Sequence, residues 1–246
     1  MSSLAAESIV NVGGFPITNT LIATAIVDIL LLALTYQIAT NVSIRPGRIQ
    51  AAIEPAIEGF YSLTQQIAGK YTSSIFPWFM TFFLFIFANN MLGLMPGFGS
   101  VGFFETHEGH KELVPLLRAA TSDFNTTLGL ATVSIFATHI LSIKYNGFRE
   151  YIQRFISLNP IYLFVGLLEL ISEGTKLFSL SFRLFGNIYA GEVVLATISG
   201  LFAFVAPIPF LLLETIVALV QALVFAMLTM VFMSILVTPH SEGGEH

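Results

Sequence analysis

The sequence has no cysteine, a single tryptophan and few charges: Lys, Arg, Asp and Glu make up 10% of its 246 residues. Each shortage excludes something. Without cysteine there is no disulfide framework and no thiolate metal or redox centre. Soluble domains carry about 25% charged residues, so the deficit argues against a soluble globular chain. No GxxxxGK[ST] loop is present to cradle a nucleotide phosphate. No basic segment precedes the first apolar run, which is therefore expected to stay as a span and not be cleaved as a leader. The apolar runs do not alternate every second residue as the strands of a membrane β-barrel would.

What is there is hydrophobic: 55% of residues, with a mean hydropathy of +0.81, in runs long enough for a bilayer, which takes about 20 helical residues. The expected fold is an all-α polytopic membrane protein forming one membrane domain over residues 1–246, with the bilayer as its surroundings and no nucleic-acid partner. Five spans are expected, at about residues 17–40, 75–94, 124–143, 161–200 and 210–237. The first contains Asp28, near its middle; the bland reading is a carboxylate satisfied by protein neighbours, the sharper one a place on an ion path. Residues 48–69 set Ile49, Ile53, Ile57 and Phe60 against Arg48, Glu54, Glu58 and Gln65, the pattern of a helix on the membrane surface. Pro55 interrupts that pattern or opens a helix of its own. Trp78 is an interfacial anchor for the second span, which ends at Asn89 and Asn90 before a turn-rich exit. The connection at 100–122 holds Glu105, His107, Glu108, His110 and Glu112, which reads as an acidic exposed loop in preference to a metal site. The third span contains His139. A second amphipathic segment, 147–158, places Phe148, Tyr151, Ile152, Phe155 and Ile156 on one face and Arg149, Glu150, Gln153 and Arg154 on the other.

Basic residues set the orientation. Arg45, Arg48, Lys70, Lys144, Arg149 and Arg154 fall in the first and third connections, against Lys111 and Arg118 in the second. The positive-inside rule then puts the N-terminus outside and the C-terminus in the cytoplasm.

The stretch 161–237 is the unusual one. Its only charges are Glu169, Glu173, Lys176, Arg183, Glu192 and Glu214, and a charge at mid-bilayer costs roughly 2.5–3.5 kcal/mol on insertion scales. Residues 161–200 lack proline and would make a helix about 60 Å long against a hydrocarbon core about 30 Å thick. Such a helix tilts strongly or breaks, with Gly186 as the expected breakpoint. At about 100° per residue, Glu169, Lys176, Ser179, Arg183 and Asn187 share a face, while Glu192 points the other way. Glu214 and Gln221 share a face of the last helix, with Glu214 at a depth where Glu192 can be its neighbour. Carboxylates clustered in a low dielectric pass protons near neutral pH. Arginine keeps its proton, so Arg183 blocks a proton path but attracts a carboxylate. The charges suit two offset half-paths, Glu192 and Glu214 outward and Glu169, Glu173 and Lys176 inward, with Arg183 between them. Asn90, His139 and Asp28 are further candidates. The bland alternative pairs Arg183 with Glu173, Glu192 or Glu214 to hold the hairpin together.

SLSFRLFGNIYAGE, residues 179–192, resembles the signature of subunit a of the F-type ATP synthase membrane sector. The similarity extends to NMLGLMP at 90–96, SIKYNGF at 142–148, Glu169 and Gln221. The resemblance implies a stator subunit, non-catalytic by itself and without a cofactor, within a proton-translocating ATP synthase complex. Its partners would be a rotor ring of c subunits and peripheral-stalk b subunits, in a bacterial plasma membrane; the glutamate after Ala190-Gly191 is more bacterial than mitochondrial in character. Arg183 would face the rotor carboxylate, Asn187, Glu192, Glu214 and Gln221 would line the outer half-channel, and Glu169, Ser179 and Lys176 would lie toward the inner one. Glu192 and Glu214 stand where other members have histidine. The rival readings are a secondary transporter with Arg183 as an anion site, which would show internal repeats, and a stand-alone channel, which would show a repeated pore-lining ring.

Overall fold

The computed structural model describes residues 8–12, 15–42, 47–95, 102–107, 110–115, 117–155, 160–201 and 207–238. Seven helices carry the described chain: α1 (Asn19–Thr40), α2 (Arg48–Ala68), α3 (Thr72–Gly93), α4 (Phe124–Asn146), α5 (Phe148–Phe155), α6 (Pro160–Leu201) and α7 (Pro207–Val237). Two antiparallel hairpins accompany them, β1 (Ser8–Val12) with β2 (Phe15–Thr18) and β3 (Gly102–His107) with β4 (His110–Pro115). Among the described residues, four stretches are long and apolar enough to cross a membrane: Asn19–Thr40, Gln50–Gly93, Phe124–Asn146 and Pro207–Val237. The chain is a multi-pass, essentially all-helical membrane protein.

Several boundaries differ from the sequence reading for local reasons. Residues 17–18 belong to β2, and α1 starts at Asn19 because the Thr18 hydroxyl accepts from the Leu21 N–H. Pro55 neither breaks nor opens α2; it lies inside it. Pro207 and Pro209 form the first turn of α7 and not a loop before it, since first-turn N–H groups need no helical acceptor. No break occurs at Gly186: α6 is one helix of 42 residues. The acidic connection is a hairpin whose backbone pairs His107 with His110; their side chains lie outside the described residues, as do Arg45 and the tail from 239. The other glycines that matter are Gly69 and Gly147, whose positive φ of 51° and 81° lets the chain turn from α2 to α3 and from α4 to α5.

The chain divides into two compact units. The first comprises Met1–Asn41, Phe83–Thr127 and Phe182–Leu223. Its core is made of Val27, Ile86, Leu184, Ile188, Ala218 and Ala222, with Asn19 on α1 donating to the Pro115 carbonyl at 3.3 Å. Outward-facing Ile29, Leu30, Leu32 and Leu34 leave most of α1 exposed, as a lipid-facing helix can be.

The second unit comprises Val42–Phe82, Leu128–Ser181 and Val224–His246. Phe82 meets Phe225 at 5.6 Å, and Ile75, Phe79, Met230 and Met233 of the same unit are fully buried. Lipid tails are as apolar as leucine, so helices join here through small residues and hydroxyls. Ala131, Ala137 and Ala226 are buried, Ser134 and Thr229 share a hydrogen bond of 2.8 Å, and Ser142 donates to the Leu236 carbonyl at 2.9 Å.

Candidate functional site

Two polar clusters lie in these units, and α6 contributes to both. In the first unit, Asn187 Nδ2 on α6 donates to Gln221 Oε1 on α7 at 2.7 Å. Asn90 on α3 uses both ends of its amide: Nδ2 donates to the Ala218 carbonyl at 3.3 Å, and Oδ1 accepts from the Thr121 hydroxyl at 2.6 Å. These bonds draw residues 117–122 against α3, helped by Gly93, where an added Cβ would come within 2.6 Å of the Ala119 methyl.

That segment brings Arg118 into the cluster. It is 7% exposed, its Nε donates to Ser122 Oγ at 3.1 Å and its Nη2 to the Ser122 carbonyl at 3.3 Å. Nε is also 3.9 Å from Glu192 Oε2. Glu192 and Glu214 line the same cavity of about 40 Å³, with Asn90, Ile188 and Ala218 in its wall, room for at least one water. The Glu214 carboxylate rests against Gly191, where any Cβ would overlap it. Glycine at 191 is therefore what lets this carboxylate reach the face of α6.

Arg183 lies on the exposed stripe of α6, with Ser179, Phe182, Gly186, Asn187 and Ala190. The opposite side, Leu180, Ser181, Leu184 and Ile188, is buried. Small residues on the exposed stripe allow another helix to approach the guanidinium closely.

In the second unit, Glu169 takes a hydrogen bond from Arg154 Nε at 2.5 Å. Glu173 accepts from Lys176 Nζ at 2.7 Å through one oxygen, and the other lies 3.8 Å from His139 Nε2. The second ring nitrogen of His139 is 3.1 Å from the Tyr151 hydroxyl. Lys176 also sits 4.8 Å over the Phe232 ring. Burial, reinforced by Glu173, pushes the Tyr151 phenol up from its ordinary value, so it keeps its proton at neutral pH. At Gly166 an added Cβ would strike the Phe155 carbonyl, so the end of α5 lies directly on α6.

Glu169, Glu173, Lys176 and His139 are thus one cluster, and Asn187, Glu192, Glu214, Gln221 and Asn90 the other. Ser179 and Arg183 face outward from α6. Asp28 lies apart from both, exposed beside an open groove of about 620 Å³ shared with Thr24, Asp123 and Thr126. The described residues contain no group of three or more His, Cys, Asp or Glu side chains able to hold a metal.

Four participants were missed in the sequence: Arg118, Thr121, Tyr151 and Arg154. The amphipathic pattern puts Arg154 on the polar face of its helix, yet it is 11% exposed and paired with Glu169. A signal for Arg118 was available, since it stands alone among apolar residues in LVPLLRAA.

The sequence profile of the family described as ATP synthase A chain matches residues 17–234. The chain is 31% identical to ATP synthase subunit a of Moorella thermoacetica over 240 residues, covering 98% of this chain and 100% of that one. It is 30% identical to the subunit a of Trichlorobacter lovleyi, covering 87% and 85%. It is 28% identical to that of Legionella pneumophila (strain Philadelphia 1), covering 91% and 88%.

Proposed function

The chain belongs to the ATP synthase A-chain family, the proton-translocating membrane-sector subunit of the F-type complex, and from that premise we propose that it is the stator half of a rotary proton path. Asn187, Glu192, Glu214 and Gln221, with Asn90 and Arg118, line the outer half. Glu169, Glu173 and Lys176, with Ser179, line the inner half. Arg183 separates them and faces the carboxylate of a rotor ring of c subunits; peripheral-stalk b subunits hold the stator in place. The N-terminus is outside, the C-terminus is cytoplasmic, and α6 crosses the membrane obliquely as the fifth span.

The observation that carries this reading is the layout of α6. One uninterrupted helix bears the Glu173–Lys176 pair toward one end and, toward the other, Asn187, bonded to Gln221, and Glu192, beside Arg118. Arg183 is about ten residues from Glu173 and from Glu192, or roughly 15 Å of helix each way, on the exposed stripe. A guanidinium never gives up its proton, so a proton can cross that interval only on a mobile partner. Arg183 also favours ionisation of each rotor carboxyl that passes.

The test uses the complete complex in liposomes. Arg183→Ala abolishes ATP synthesis driven by an imposed proton gradient, while ATP hydrolysis by the detached catalytic head stays unchanged. Coupled synthesis in the mutant would refute the assignment.

A further inference from the structure

Three side chains in the second unit form a line that the division into half-paths leaves unexplained. Glu173 comes from α6, His139 from α4 and Tyr151 from the short helix α5. Glu173 Oε2 is 3.8 Å from His139 Nε2, and His139 Nδ1 is 3.1 Å from Tyr151 Oη. The imidazole lies edge-on to the phenol, with ring centres 5.8 Å apart, and Tyr151 packs in the same way on Phe155 at 5.2 Å. The two ring nitrogens are therefore held in different jobs, one against a carboxylate and one against a hydroxyl.

We propose that His139 is the terminal proton acceptor of the inner half-path, receiving its proton from Glu173, and that Tyr151 is the positioning residue that makes this possible. The proposal rests on the half-path reading above and extends it to the residues that release the proton. A neutral imidazole has one N–H and one lone pair. When the Tyr151 oxygen accepts from Nδ1–H, the lone pair is left on Nε2, facing Glu173. A protonated Glu173 then transfers its proton to Nε2, giving a carboxylate and an imidazolium; Lys176, already bonded to the other Glu173 oxygen, stabilises that carboxylate. The imidazolium passes the Nε2 proton to water and returns to the same tautomer, so one proton is taken up and one released.

The charges around His139 suit release as well as uptake. Glu173, Glu169 and Lys176 face it from α6, and Arg154 from α5, two carboxylates and two cations. The part of α7 in this unit, 224–237, contains no ionisable residue. Arg154 is itself committed to Glu169 at 2.5 Å, which neutralises the carboxylate closest to the end of α5 and leaves Glu173 as the one beside the imidazole.

The experiment measures potential-driven proton flux through the intact complex in liposomes, with the pH varied on the side facing α5, for wild type, His139→Gln and Tyr151→Phe. Flux in the wild type depends on the pH of that side, with a single midpoint. His139→Gln loses that dependence, and its flux falls roughly 10–100-fold. That is less than the 10²–10⁴ of a full acid–base group, because Glu173 still exchanges with water. Tyr151→Phe keeps the ring packing and shifts the midpoint of the profile. A wild-type pH profile in His139→Gln overturns the proposal. If that variant fails to assemble, Tyr151→Phe decides, and an unshifted midpoint overturns it. Arg183→Ala in the same preparation separates the two levels: coupling lost there with a wild-type profile in His139→Gln removes only this proposal. Coupling retained there removes the half-path reading itself.

Discussion

Gly191→Ala tests whether contact with α6 places Glu214 in the proton path. The carboxyl carbon and both oxygens of Glu214 lie where the new methyl would go. Glu214 is 6% exposed, and it lines a cavity of about 40 Å³ together with Glu192. The side chain can retreat only by leaving its rotamer or by entering that space. Overpacking of this kind costs about 1–3 kcal/mol; with that cost falling on the position of the carboxylate that conducts, about 1.4 kcal/mol per tenfold predicts proton flux lowered about 5–150-fold. Shortening the acid should relieve the clash while keeping a carboxylate. In a Glu214→Asp background, Gly191→Ala should therefore cost less than about threefold, a coupling read from a double-mutant cycle. The assay is flux in vesicles carrying the complete complex, normalised to assembled protein. An equal penalty in both backgrounds would show that Gly191 matters for some reason other than room for Glu214, and the reasoning would fail.

Two further predictions concern the first unit. Glu214→Gln keeps the shape of the side chain and removes its charge and proton; flux slows while assembly stays at the wild-type level, and unchanged flux would remove Glu214 from the path. Thr121→Val keeps the volume but deletes the donor to Asn90 Oδ1, leaving a buried acceptor unsatisfied at a cost of about 1–3 kcal/mol. The yield of assembled complex should fall on mild heating, and an unaltered melting profile would mean that the 117–122 segment is held by other contacts.

Much of the architecture was legible because it follows from local properties. Apolar runs of about 20 residues can only be helical in lipid, where every backbone polar group must be satisfied within the segment. The helical spacing of residues in 48–69 and 147–158 is likewise a local property, and the chain is helical there in α2 and α5. The family was legible for a different reason: residues 179–192 carry a charged and amide pattern that lipid-facing sequence has no cause to keep. The hairpins were not legible. Val10 and Ile17, or Glu105 and Glu112, pair across short turns, but neither segment shows the long alternation that marks a strand in sequence.

The sequence by itself determined the class, the order of the helices and the angular position of each residue on its own helix, because hydropathy and the 100° step of a helix are set within a turn or two. It placed Arg183 on a different side of α6 from Glu192. Only the tertiary structure decided which groups meet. Arg118 reaches Glu192 because Asn90 and Thr121 draw its segment against α3, and Tyr151 reaches His139 because Gly166 lets the end of α5 lie on α6. The first meeting joins elements far apart in the chain, and the second joins consecutive helices that a third one holds together. Both depend on where a side chain is missing as much as on where a charge is present, and neither hydropathy nor periodicity carries that information.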